Sequence, residues 1–411
     1  MQLGFYIILA AQFFSALADN ALLFAAIALL AEIHAPDWQT PVLHMYFVFS
    51  YIVLAPFVGP FADALPKGKV MFISNGVKLA GCLAMLAGLH PLYAYGVVGI
   101  GAAMYSPAKY GILTEYLPSS KLVLANGWME GLTVAAIILG AVAGGYMASP
   151  GFSSALGFAP GTPLLDSAPK IAVAFIVLLY VAAALINIYI PRVALDHKLP
   201  RKTLPYILRD YWTCFWQLWR DPLGQVSLAV TMIFWGTGAT LRLIVLNWSE
   251  TILGMDPTQA TQITALVAVG IAVGAAVAAK TVQLERAVKI LPMGIAVGIT
   301  VMLMVFARQW WLLAIGLLII GGLGGFFVVP MNALLQHRGH LLMGAGHSIA
   351  VQNFNEHLSI LAMQGMYAGM LKLDMPLEVI VVFFGLMLAV VMHYLWRRHG
   401  GTAVGVRVSD P

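Results

Sequence analysis

Hydrophobic positions along this 411-residue chain come in long unbroken blocks, and polar residues gather in the short gaps between them. A block of about 20 apolar residues matches the hydrocarbon core of a bilayer, which a helix crosses with its backbone hydrogen bonds made internally. The pattern predicts about twelve such helices, at 4–33, 41–62, 70–89, 91–116, 122–148, 170–191, 225–249, 257–280, 286–307, 309–336, 342–371 and 376–396. Several exceed the minimum span, as tilted helices do. The longest polar connection on one side, Pro191 to Gly224, divides the array six and six. The result is an all-α membrane protein with an N-terminal half (1–191), a linker (192–224), a C-terminal half (225–398) and a tail (399–411). The halves echo each other: Pro107 and Pro330 lie 223 residues apart, Glu130 and Glu356 lie 226 apart, and Asn126 and Gln352 each precede their glutamate by one helical turn. A shared offset of this size predicts a pseudo-symmetric parallel repeat, as in secondary transporters.

Composition removes the soluble alternative. Hydrophobic residues make up 61% and charged residues 9%, against roughly 25% charged in a soluble domain. The mean hydropathy is +0.88. The formal charge of +5 reads as cytoplasmic loops facing anionic lipid, and no nucleic-acid partner is expected. Of the 22 Lys and Arg residues, Lys78, Lys109 and Arg242 fall within spans and Lys170, Arg308 and Lys372 fall on one side, leaving 16 on the other. That asymmetry predicts both termini in the cytoplasm. Met1 is followed almost at once by an apolar run with no basic leader and no small-residue cleavage site, so the first span is expected to be retained. Cys82 and Cys214 are far apart and outside metal-ligand spacing. There is no phosphate-binding glycine loop ending in Lys-Ser/Thr, no HExxH and no nucleophile elbow. No enzyme, cofactor or metal site is expected.

The linker carries Tyr206, Ile207, Leu208, Trp212, Phe215, Trp216, Leu218 and Trp219 among basic residues, which predicts an amphipathic helix on the inner leaflet. The Gly-, Pro- and Ser-rich stretch 149–169 reads as a plain loop.

The candidate chemistry lies in charges placed at membrane depth: Asp19, Lys78, Lys109, Glu130, Arg242 and Glu356. Each would cost several kcal/mol facing lipid, roughly 2.5 to 3.5 on insertion scales, so each must face a polar interior, as part of a cargo or ion site or of a structural ion pair. Asp19 and Asn20 sit midway along the first span. Lys109 shares a helical face with Tyr105 and Gly101, next to the kink-prone Pro107. Arg242 follows a run of small residues, and its guanidinium fork suits phosphate. Asn126, Glu130, Gln352 and Glu356 read as cavity lining or as bonds between helices, and Lys78, with Asn75, as a gate or packing partner. The loop from Gly59 to Lys69 places Asp63 before Lys67 and Lys69 on a tight turn, a charge latch for helix ends and a candidate conformational gate.

That glycine–aspartate–basic loop, on a twelve-span plan, resembles the major facilitator superfamily, with Pro66 and two lysines as departures from its usual pattern. A more specific likeness lies in Ala10–Phe24, in YSPAKYGIL (105–113), in GFFVVPMNALLQ (325–336) and in GAGHSIAVQN (344–353). These resemble the bacterial lysophospholipid transporter family. The resemblance implies a flippase of lysophosphatidylethanolamine and related lysolipids from the outer to the inner leaflet of the Gram-negative inner membrane. It also implies a separate cytoplasmic acyltransferase with acyl-carrier-protein synthetase activity as partner, since the chain ends soon after its last span. Membrane lipid is the other partner, and a monomer is expected. The family's embedded charges carry over onto Asp19, Lys109 and Arg242. In a transporter of this type the first, fourth, seventh and tenth spans line the cavity and would bring in Asn332 as well. Arg242 and Lys109 would meet the lipid phosphate, Asp19 and Asn20 the ammonium, with Tyr105 at the border. The alternatives are a proton-coupled transporter of small or drug-like solutes, with Asp19 as protonation site, and a membrane acyltransferase.

Overall fold

The computed structural model describes residues 3–36, 39–155, 165–193 and 203–401. Among them there are helices and turns and no strand. The order is α1 (Leu3–Glu32), α2 (Gln39–Ala64), α3 (Lys67–Leu86), α4 (Pro91–Tyr116), α5 (Leu122–Met147), a short α6 (Pro150–Ala155), α7 (Ala168–Ile188), α8 (Leu204–Arg220), α9 (Pro222–Thr251), α10 (Pro257–Thr281), α11 (Pro292–Leu303), α12 (Trp310–Met343), α13 (Ala345–Lys372) and α14 (Leu377–His399). Short 3-10 segments precede and follow α11 and extend it to a membrane-length passage, Leu284–Phe306. Ten of the described passages are long and apolar enough to cross a membrane. The other two predicted spans coincide with α4 and α13, which have the length but are diluted by polar residues such as Lys109, Glu115, Gln352 and Glu356. The middle of the predicted loop at 149–169, the start of the linker and most of the tail lie outside the described residues.

Two compact units emerge. The first holds residues 1–115, 135–211 and 343–350, and the second holds 116–134, 212–342 and 351–411. In the first, α1 and α3 both pack on α7, around an apolar core that includes Leu22, Leu29, Cys82, Tyr95, Val98, Ile176 and Tyr180. Lipid supplies no hydrophobic force between helices, so close packing must do the holding, and small residues allow it. A side chain at Gly140 of α5 would meet the Leu17 carbonyl of α1 at 2.8 Å, and one at Gly144 would collide with the Ala21 backbone. The second unit uses the same device. Gly270 and Gly274 of α10 lie against the backbone of Gly321 and Gly322 on α12, and Gly298 of α11 against Gly385 and Ala389 of α14.

Helix ends follow their sequences. Asp221 caps α9 by accepting from the Gly224 N–H at 2.8 Å, with Pro222 at the first helical position. Arg338 grips the same carboxylate with two bonds, of 2.9 and 2.6 Å. Burial pushes the Asp221 carboxyl up, but the bonds from Arg338 and the Gly224 N–H outweigh it and hold the group below the usual carboxylate range. The linker forms α8, with Tyr211, Cys214 and Leu218 buried, while Leu204, Leu208, Trp212 and Trp216, one turn apart in series, stay exposed.

The glycine contacts generate a prediction. Gly274→Val should force α10 away from α12 and reduce stability by about 1–3 kcal/mol. Unfolding in detergent with unchanged stability would show that this contact is slack.

A candidate functional site and two buried polar clusters

Asp19 is held from two sides. Its Oδ2 lies 2.7 Å from Lys78 Nζ of α3, and its Oδ1 accepts from the Tyr180 hydroxyl of α7 at 2.7 Å. Lys78 Nζ also donates to Ser15 Oγ at 3.0 Å, and Ser15 donates to Asn75 Oδ1 at 2.9 Å. The helical repeat makes this possible, because Ser15 and Asp19 are one turn apart on α1, as are Asn75 and Lys78 on α3. The ammonium stands 4.7 Å above the Tyr105 ring of α4, a cation–π arrangement. One turn before Tyr105, Gly101 leaves the space that the lysine stem fills, since a side chain there would meet Lys78 Cγ at 2.6 Å. Lys78 is 1% exposed and Asp19 is 21% exposed, so the cation is sealed and the carboxylate keeps an open edge. One turn beyond Tyr105, Lys109 is buried with its ammonium 4.4 Å from the Tyr110 ring centroid. Asn20 spends its amide on the Ala16 carbonyl, at 2.8 Å. Asp19, Asn20, Tyr105 and Lys109 therefore belong to the first unit.

Arg242 and Asn332 belong to the second unit. Arg242 projects from α9 as an exposed side chain. Asn332 is buried on α12, where its Oδ1 accepts from Gln352 Nε2 of α13 at 3.0 Å. The same Gln352 nitrogen donates to Glu356 Oε1 at 2.7 Å. Asn126 of α5 and Gln336 of α12 exchange two amide hydrogen bonds, of 2.9 and 2.8 Å. Glu130, one turn along α5 from Asn126, is also buried.

The aspartate–lysine loop closes into a third group, inside the first unit. Asp63 Oδ1 pairs with Lys67 Nζ at 2.7 Å, and Lys67 reaches Glu115 of α4 at 3.0 Å. Asp63 also accepts from the backbone N–H groups of Gly346 and His347, at 2.8 and 3.1 Å, and lies 2.6 Å from His347 Nδ1. His347 Nε2 in turn is 3.3 Å from Asp210 of α8. Gly344, with φ +94°, breaks α12 from α13. That break frees the N–H groups at the start of α13, a natural seat for a carboxylate. A side chain at Gly346 would meet Asp63 Oδ1 at 2.5 Å, and one at Gly59 would meet His347 Cα at 3.0 Å. Lys69 is exposed and apart from this group.

The profile of the Major Facilitator Superfamily matches residues 8–363. The lysophospholipid transporter LplT of Yersinia enterocolitica serotype O:8 is 44% identical over 374 residues, 91% of this chain and 88% of that protein. LplT of Yersinia pestis strain Pestoides F is 45% identical over 370 residues, 90% and 87% of the two chains. The chain belongs to the lysophospholipid transporter family of the major facilitator superfamily. Solved structures of major facilitators share its fold. The human organic anion transporter MFSD10 has a TM-score of 0.72 at 14% identity, covering 96% of this chain and all (100%) of that one. FucP in its outward conformation has 0.73 at 13%, covering 96% and 98%. This major facilitator is a transporter, not an enzyme.

Sequence reading of this facilitator located Asp19 and Lys78 separately but not their pairing. It missed Ser15 and Tyr180, whose hydroxyls carry no signal in a chain full of such residues. It also missed Glu115, Asp210 and His347 as partners of Asp63. His347 sits within a motif that carried the family resemblance, and that was the available clue.

Two predictions follow from the geometry. Lys78→Met should destabilise the facilitator by about 3 kcal/mol, because it strands a carboxylate, and Asp19→Asn added to it should recover part of that loss. Simple addition of the two single effects in unfolding measurements would rule out the coupling. Gly346→Ala should dislodge Asp63 and raise hydrogen exchange at the first α13 amides by about tenfold, for a loss near 1.4 kcal/mol. Unchanged exchange would mean the carboxylate does not hold that helix end.

Proposed function

We propose that this chain moves lysophosphatidylethanolamine and related lysolipids from the outer to the inner leaflet of a Gram-negative inner membrane, by alternating access. The observation that carries the reading is the Asp19 carboxylate, held mid-span by Lys78 and Tyr180 with one edge left open. An ammonium headgroup is a suitable ligand for that edge, with Asn20 and Tyr105 beside it. Lys109 of the first unit and Arg242 of the second are phosphate-binding groups, and Asn332 is a polar lining residue of the second unit. The Arg242 side chain is exposed, and a guanidinium binds phosphate through two parallel bonds. The names of the Yersinia relatives support the lipid cargo.

The group around Asp63 acts as the conformational gate in this reading. Gly59 permits the close approach, Lys67 and His347 hold the carboxylate, and Lys69 stays at the surface. Both termini face the cytoplasm, where basic residues concentrate. There the exposed Leu204–Leu208–Trp212–Trp216 stripe rests on the inner leaflet. A separate cytoplasmic acyltransferase with acyl-carrier-protein synthetase activity restores the second chain, and the transporter works as a monomer.

Reconstituted protein should move labelled lysophosphatidylethanolamine between leaflets. Lys109→Ala and Arg242→Ala should each slow it by about tenfold or more, given about 1.5–3 kcal/mol for a charged hydrogen bond. Full-rate movement by both variants would remove the phosphate role from both residues, and competition by soluble drug-like solutes alone would replace the cargo.

A further inference from the structure

In the second unit the α9–α10 connection and the α11–α12 connection come together beyond the end of α9 that lies away from α8. Trp248, fully buried near that end of α9, ties them by donating its indole N–H to the Ala307 carbonyl at 3.1 Å. Between the two connections lies a cavity of about 530 Å³, within the roughly 300–1,000 Å³ usual for small-molecule sites. Its wall is of two kinds. Leu253, Met255, Trp310 and Trp311 supply apolar surface, and Arg308 with Gln259 and Gln309 supplies hydrogen-bond donors. Among the described residues of that lining, Arg308 carries the only charge. Its guanidinium carbon lies 5.4 Å from the Trp248 ring centre, an aromatic backing that leaves the edges of the plane for hydrogen bonds. One N–H goes to Glu378 Oε1 of α14 at 3.1 Å. Among the described residues Arg308 makes no other side-chain hydrogen bond, so the rest of its five N–H donors are left for the cavity. Asp256, next to Met255 in sequence, is turned to the start of α10, where it accepts from the Gln259 N–H at 2.9 Å.

We infer that this cavity binds the phosphodiester of a lysophospholipid, with Arg308 taking the phosphate and the apolar wall taking the glycerol and the first carbons of the single acyl chain. A phosphodiester keeps one negative charge at neutral pH, and a guanidinium meets it with parallel N–H bonds. The Gln259 and Gln309 amides suit the free glycerol hydroxyl, the group that distinguishes a lysolipid from a two-chain lipid. A free inorganic anion would use the cation and leave Trp310 and Trp311, 63% and 45% exposed, without a ligand. Exposed tryptophans at helix ends belong at the level of lipid headgroups, where a lysolipid presents its phosphate. Two such rings alone would read as membrane anchors; the cavity beside them and the cation in its wall add the chemistry of a ligand. Cations are scarce on the face expected to lie outside the cytoplasm, where the sequence places only Lys170, Arg308 and Lys372. One of them set in a cavity wall is therefore not a by-product of a basic surface. Arg308 belongs to the second unit and Asp19 to the first, so this site is separate from the carboxylate described above.

As the place where cargo from the outer leaflet is first held, the cavity rests on the transport reading above; as a lysolipid site it does not, and the test separates the two. Lysophosphatidylethanolamine with a photoreactive group on its first acyl carbons, added to the purified full chain in nanodiscs, should label segments 253–259 and 308–311, read by mass spectrometry of the peptides. Arg308→Gln should reduce that labelling by about tenfold or more, the size expected for a lost charged hydrogen bond. Glu378→Gln, which removes an exposed ion pair worth little and keeps the cation, should leave the labelling intact; loss in both variants would make the Arg308–Glu378 contact purely structural. A photoreactive monoacylglycerol, which lacks phosphate, should label weakly. Equal labelling by it would overturn the phosphate, and displacement of the lipid probe by inorganic phosphate as readily as by unlabelled lysolipid would overturn the lipid. No labelling of these segments in the unsubstituted chain would overturn the site. In reconstituted vesicles Arg308→Gln should raise the lysolipid concentration for half-maximal movement by about tenfold. Labelling lost without that shift would leave the site and remove its loading role. Labelling present with no lipid movement by the unsubstituted chain would leave the site and remove the transport reading.

Discussion

An ionised side chain inside hydrocarbon is tolerated only when the protein itself replaces the water it has lost. Much of the polar architecture follows from that constraint. Lys78, sealed at 1% exposure, is surrounded by a carboxylate, a hydroxyl and an aromatic face. Asp63 takes bonds from a lysine, a histidine and two backbone N–H groups. Where charge is absent, amides close on each other, as Asn126 and Gln336 do. Such groups add little net stability compared with well-packed apolar ones.

Glycine makes these arrangements possible in two different ways. At Gly101, Gly144 and Gly274 the missing side chain lets a lysine stem or a neighbouring backbone come close. At Gly344 the left-handed backbone conformation ends α12 and restarts the chain as α13 within a single residue. The fresh helix start then supplies unpaired N–H groups where Asp63 can reach them. A replacement at either kind of site would leave the composition of the chain almost unchanged and disturb a contact far away in sequence.

The fold was legible because hydrophobic block length is a direct consequence of bilayer thickness. The predicted ends of most spans fall within a few residues of the observed helices, as for 91–116 and α4. The breaker at Gly344 and the 3-10 pieces around α11 were not legible, because backbone geometry at single residues leaves no periodic trace. The candidate site was legible only as a set of isolated charges. An intramembrane charge announces itself by its cost, so Asp19, Lys78 and Lys109 stood out. Ser15, Tyr180 and Gln336 did not, because a neutral polar group in a span is unremarkable until its partner is known. Pairing is a property of three dimensions. Asn126 matches Gln352 by repeat offset, yet it bonds to Gln336, 210 residues away.

The Asp19–Lys78 contact has an electrical consequence. Its two charges lie 2.7 Å apart, so the couple behaves as a small dipole of zero net charge. Work against the transmembrane potential scales with the charge displaced, about 2.3 kcal/mol per elementary charge per 100 mV. A rearrangement that carries this pair along intact therefore feels almost none of that field. As long as the pair stays together, voltage sensitivity has to originate in groups other than these two.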